Sequence, residues 1–121
     1  MIQGFEKQTE ELTDYERLTL IPVIVRGLSA KIGKSRAVTN KYIVCMLKGS
    51  YKVSDARIRK IINYIRIHDL IPCLVASNEG YYIAESNQEL KDYESSLLGR
   101  EAAIHEVRQA ISRQRELRYG K

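Results

Sequence analysis

Between residues 54 and 63 the chain places Ser54, Arg57, Arg59, Lys60 and Asn63 within ten positions. Guanidinium and ammonium groups bind phosphate oxygens and the O6/N7 edge of guanine, while a carboxamide makes paired hydrogen bonds to adenine. A hydroxyl beside a helix N-terminus suits a phosphate. Arg59 and Lys60 are therefore expected on phosphates or guanine edges, with Arg57 beside them. Asn63 is expected on an adenine edge, and Ser54 with the helix N-terminus on a phosphate. Lys41, Lys48 and Lys52 are expected along the flanking backbone, with one further contact from Asn78. The polymer that this set fits is double-stranded DNA.

The charge distribution points the same way. The chain of 121 residues carries a net +5, but residues 34–76 hold nine basic against two acidic side chains, a net +7. Residues 1–33 and 77–121 each come to −1. A local concentration of positive charge attracts a polyanion, whereas a charge serving solubility alone would be spread along the chain. Tyr42, Tyr51 and Tyr64 lie in or beside this segment and can offer hydroxyls to phosphates or rings to bases.

Other chemistries find no support. His68 and His105 are the only histidines and have no Cys or His at ligand spacing, so no metal is expected. Gly33-Lys34-Ser35 looks like the end of a phosphate loop, but position 28 is Leu and no buried strand precedes it. No nucleophile elbow or paired-carboxylate arrangement is present, so the chain reads as a non-enzyme with no cofactor and no small-molecule substrate. Cys45 and Cys73 lie in apolar runs without a CxxC pair and read as buried, reduced thiols. No run approaches the roughly 20 apolar residues of a membrane span. The first residues have neither a basic nor an apolar signal region, so a cytoplasmic location is expected.

The elements that must position the basic residues follow from periodicity. Ile58, Ile61, Ile62 and Ile65 fall at i, i+3, i+4 and i+7, one apolar stripe of a helix capped by Ser54 and stapled by Val53 onto Ile58. Ala56, Lys60, Asn63 and Ile67 lie about half a turn away. Upstream, Thr39 caps a short helix with Ile43, Met46 and Leu47 on its apolar side, and Val38 staples onto Ile43. Gly49 is placed to take the left-handed position after it. Two short helices joined by a brief turn, the second basic outside, make a helix-turn-helix. Before them, Thr13 and Glu16 form a capping box for a helix running to about residue 31 along Leu18, Ile21, Val25, Leu28 and Ile32. Pro22 either kinks or splits that helix. Residues 33–36 read as a basic loop.

After residue 69 the period changes to 2. Residues 70–76 and 81–84 read as strands around a tight turn at Ser77-Asn78-Glu79-Gly80, with Tyr81 and Tyr82 on opposite faces. Ser86 and Glu89 then open the longest helical pattern, over 87–117, about 45 Å at 1.5 Å per residue. Leu90, Leu97, Ile104 and Ile111 recur every seven residues, with Tyr93 and Val107 three beyond two of them. This is a dimerisation seam of coiled-coil type, interrupted by Arg100 and Gln114; folding of the helix across its own domain is the other reading. The basic end from Arg113 to Lys121 is expected to fray.

The expected organisation is a flexible arm over 1–12, a winged-helix DNA-binding domain over 13–86 and a C-terminal helix over 87–121. The fold class is mainly α (α+β), a winged helix-turn-helix with a short two-stranded wing and a long C-terminal helix.

The run from Val53-Ser54 through Ile58-Arg59, Ile62, Ile65-Arg66 and Leu70-Ile71-Pro72 to Gly80-Tyr81-Tyr82-Ile83-Ala84 resembles the small winged-helix proteins of phages, prophages and related mobile elements. The resemblance covers about residues 13–112. It implies double-stranded DNA as partner, and a role as transcriptional regulator or replication-organising factor. Glu79 in the short wing departs from a phosphate-binding wing. The rival expectation is a protein-interaction module that uses the same scaffold to assemble with an acidic partner, without DNA.

Overall fold

A computed structural model describes residues 11–120. Its core is assembled from the isoleucine stripe outward. Helix α3 (Asp55–Ile67) buries Ile58, Ile61, Ile62 and Ile65, each at 1% exposure or less. Against them pack α1 (Ile21–Leu28) through Ile21, Ile24 and Leu28, and α2 (Asn40–Leu47) through Ile43 and Leu47. Burying a branched side chain of this size contributes about 2 kcal/mol each, so this stripe is the main source of cohesion. The chain is mainly helical, with one small antiparallel sheet.

The first helix begins on its capping box: Glu16 N–H donates to Thr13 Oγ1 (3.1 Å) and Thr13 N–H to Glu16 Oε1 (2.9 Å). Ahead of Pro22 the backbone widens into a π-helical turn, Glu16–Leu20, with Ile21 N–H donating to the Glu16 carbonyl. Proline has no N–H and its ring crowds the carbonyl four residues back, and a widened turn relieves both problems. The helix is thus continuous through Pro22, neither split nor ended. The extra residue in that turn rotates the face. Leu20 becomes fully buried, while Leu18, expected in the apolar stripe, is 71% exposed. The helix also ends at Leu28, before residue 31, and Ile32 leaves it to bridge to the sheet.

Strands β1 (Leu74–Ser77) and β2 (Gly80–Ile83) pair antiparallel, from Leu74 opposite Ile83 to Ser77 opposite Gly80. The first strand starts four residues later than expected, because Cys73 has a positive φ (67°) that extended backbone cannot contain. The other edge of β2 is not open. Val38 and Tyr81 exchange backbone hydrogen bonds (3.0 and 2.7 Å), and Ile83 bonds to Lys31 and Gly33 (both 2.8 Å). The segment expected as a basic loop therefore serves as a partial third strand around a 3₁₀ turn (Lys34–Arg36). Gly80 permits this: its φ is +120°, and any Cβ there would overlap the Val38 carbonyl. Tyr82 is the core member of the tyrosine pair, and Tyr81 donates its hydroxyl to Asn40 Oδ1 (2.5 Å).

Contacts divide the chain between Glu85 and Ser86 into two units. The second is one helix, α4 (Asn87–Tyr119), capped by Ser86, whose hydroxyl accepts from Glu89 N–H (3.1 Å). It stays helical to Tyr119, well into the basic stretch expected to fray; Lys121 lies outside the described residues. None of its residues is buried. Of the arm expected over 1–12, only Glu11 and Leu12 fall among the described residues, and Leu12 packs against the core. Both cysteines are free and exposed, in place of the buried thiols expected from their apolar neighbours.

Candidate nucleic-acid interface

The α2–α3 connection is built from local signals. Thr39 Oγ1 accepts from Tyr42 N–H (3.0 Å) at the start of α2, and Ser54 Oγ accepts from Arg57 N–H (3.3 Å) at the start of α3. Val38 and Val53, the two stapling residues, pack into or against the core as their spacing implies. Gly49 takes φ +94° after α2. Met46, assigned to the apolar side of α2, is instead 64% exposed; only Ile43 and Leu47 of that set face inward. Helix α3 ends where Leu70 N–H reaches the Ile65 carbonyl (3.0 Å) and Asp69 N–H the Arg66 carbonyl (3.4 Å). Asp69 holds the left-handed position there at φ 60°, where glycine is usual.

With the isoleucines anchored, Arg59 and Asn63 are exposed on the other side of α3 and Lys60 is half-buried. Ile67, on the same outer side, is 75% exposed. Tyr64 and His68 stack at 4.0 Å between ring centroids, so this tyrosine's ring is occupied within the helix. Lys41, Lys48 and Lys52, eleven positions apart at most in sequence, come together around one open cleft of about 500 Å³ at the α2–α3 turn. Tyr51 and the exposed Cys45 share its wall, and Asp55 is its one acidic lining residue. Lys52 is held by its backbone N–H, which donates to Tyr15 Oη (3.1 Å). Asn78 lies on another element, exposed in the β1–β2 turn. There Glu79 is 3.9 Å from Lys34, a long exposed pair that offsets part of the acidic charge in the hairpin.

Arg57 departs from its expected role. Its guanidinium donates from Nε to Glu16 Oε2 (2.7 Å) and from Nη2 to Glu16 Oε1 (2.6 Å), a two-point grip on a carboxylate 41 residues earlier. Its side chain is 25% exposed and that of Glu16 only 7%. Arg57 therefore ties the first helix to the start of α3 and does not offer a free cation outward. The hydrogen bond from Arg57 is the largest of the causes that hold the Glu16 carboxyl below its ordinary value of 4.5; burial opposes it, and the Thr13 hydrogen bonds add to it. Glu16 was legible as a capping residue alone, since nothing local marks its second, distant partner.

No group of three or more His, Cys, Asp or Glu that could hold a metal occurs among the described residues. No helix among them is long and apolar enough to cross a membrane. No family model, curated protein or solved structure matches the chain.

Proposed function

We propose that residues 13–86 form a winged helix-turn-helix that binds double-stranded DNA, with α3 as recognition helix and the β1–β2 hairpin as a short wing. The chain acts as a homodimer through α4, as a transcriptional regulator or replication-organising factor of phage or mobile-element type. One observation carries the reading: a helix anchored by four buried isoleucines exposes Arg59 and Asn63, and three exposed lysines ring the cleft beside its N-terminus. Rigid anchoring on one side with cations and an amide on the other is what groove reading requires. Arg57 is removed from the contact set, leaving Lys41, Lys48, Lys52, Arg59 and Lys60 as its cations.

Five phosphate contacts correspond to a slope of about −4.5 in log K against log salt, a loss of about 500-fold in affinity between 50 and 200 mM. Fluorescence anisotropy with a mixed-sequence duplex measures it. Replacing Lys41, Lys48 and Lys52 together by Gln should flatten the slope by nearly three. Negligible binding at 50 mM, or a slope unchanged in the triple variant, overturns the reading and favours a protein-docking role for the same face.

A further inference from the structure

Helix α4 leaves its apolar seam uncovered from Leu97 onward, where Leu97 is 36% exposed, Ile104 43%, Ile111 56% and Val107 63%, while Leu90 and Tyr93 are half-buried. Helices in proteins draw most of their stability from packing an apolar face, so a seam left in water along the later half of this 33-residue helix points to a partner. We infer that the partner is a second copy of this chain running antiparallel, with Leu97 opposite Gln114, Ile104 opposite Val107 and Ile111 opposite Arg100 of the other copy. The inference rests on the proposed role of α4 as the dimer element and is independent of DNA binding.

Charge selects the direction. Taking Leu90, Leu97, Ile104 and Ile111 as heptad position a, position e holds Glu94, Glu101, Arg108 and Arg115 in that order. Positions e and g flank the seam and decide orientation and partner. In an antiparallel pair the e positions of the two copies meet, so Glu94 faces Arg115 and Glu101 faces Arg108, each twice by symmetry. Position g then pairs Ala103 with Ala110, small residues that let the helices approach. A parallel, in-register pair fails on the same residues. It stacks Arg100 on Arg100 and Gln114 on Gln114 within the seam and sets Glu89 against Glu94. The two neighbouring antiparallel registers set Glu101 or Arg108 against its own copy. Acidic residues early and basic ones late also suit the dipole of a single helix, but that effect is confined to the end turns, and Glu101 and Arg108 lie in the middle of α4.

One consequence follows for the globular units. Two copies of residue 87 would lie about 55 Å apart along such a pair, at 1.5 Å per residue, where a parallel pair would hold them about 10 Å apart.

The test uses the full chain with Cys45→Ser and Cys73→Ser, carrying either Leu97→Cys or Gln114→Cys. Sedimentation first establishes the oligomer. Mixed and oxidised, the two variants should give the 97–114 heterodimer as the main cross-linked species, with little disulfide in either variant alone. A dimer in which Leu97→Cys cross-links to itself overturns the antiparallel direction but keeps α4 as the dimer element. A monomer at tens of micromolar overturns both. A charge test avoids the seam altogether. Glu94→Arg/Glu101→Arg and Arg108→Glu/Arg115→Glu should each weaken self-association at least tenfold, and should pair with one another when mixed. A parallel dimer would show no such rescue, because its e positions do not meet.

Discussion

Replacing Arg57 by Ala should destabilise the globular unit by about 3 kcal/mol while leaving the salt slope for DNA unchanged. The magnitude comes from burial on the two sides of the pair. Removing one partner of a buried ion pair costs about 3–5 kcal/mol, because the other charge is stranded away from water. In Arg57→Ala the stranded group is Glu16, whose side chain is only 7% exposed. The Thr13 N–H still donates to its Oε1, which places the loss at the lower end of that range. Glu16→Gln strands a guanidinium that is 25% exposed and keeps some water, so it should lose less, about 1–2 kcal/mol. For a unit of this size 3 kcal/mol corresponds to a fall in Tm of about 12–24 °C. Urea titration followed through the amide resonances of Ile58, Ile61 and Ile62 reads this unit separately from α4. The pH dependence adds a second check. Glu16 has a folded-state pKa below its unfolded value, so it contributes stability above about pH 4.5 that is lost as the pH falls through the folded value. Glu16→Gln should lack that acid-sensitive part, and Arg57→Ala should retain little of it, since the largest lowering cause is gone. If Glu16→Gln proves more damaging than Arg57→Ala, or if Arg57→Ala melts within a few degrees of the parent, the pair does not tie the first helix to α3. If Arg57→Ala instead lowers the salt slope by about one, its guanidinium reaches phosphate.

Three further outcomes test separate links. Asp69→Gly should stabilise the unit by about 0.5–1 kcal/mol by thermal melting, because Asp69 occupies a left-handed helix end that glycine enters without a Cβ penalty; a loss of stability would contradict that geometry. Gly80→Ala should destabilise by about 2–3 kcal/mol, since its Cβ meets the Val38 carbonyl and φ is +120°. Amide exchange at Val38 and Tyr81 should accelerate with it, and unchanged exchange would refute the close approach. Asn63→Ala should leave stability within about 0.5 kcal/mol. It should relax discrimination at one base position by about 1–3 kcal/mol, read by selection from a randomised duplex pool.

Where local chemistry is sufficient, the residues alone determine the outcome. The Ser54, Thr39, Thr13 and Ser86 caps, the isoleucine stripe of α3 and the turn before Gly80 are all written in spacings of four residues or fewer, and the long span of α4 in a seven-residue recurrence. Such spacings decide which backbone N–H is satisfied and which side faces inward, whatever the rest of the chain does. Tertiary structure alone decided the remainder. Only packing against α3 shows that the π turn before Pro22 rotates Leu18 out and Leu20 in. Only the path of β2 shows that residues 31–38 cover its second edge. Arg57 and Arg59 are the same residue type two positions apart, yet one is gripped by Glu16 and the other lies exposed. A carboxylate 41 residues away chooses between them, and no pattern within the helix records where that carboxylate will arrive. Periodicity specifies which way a side chain points; what it meets there depends on contacts between segments that only the folded chain brings together.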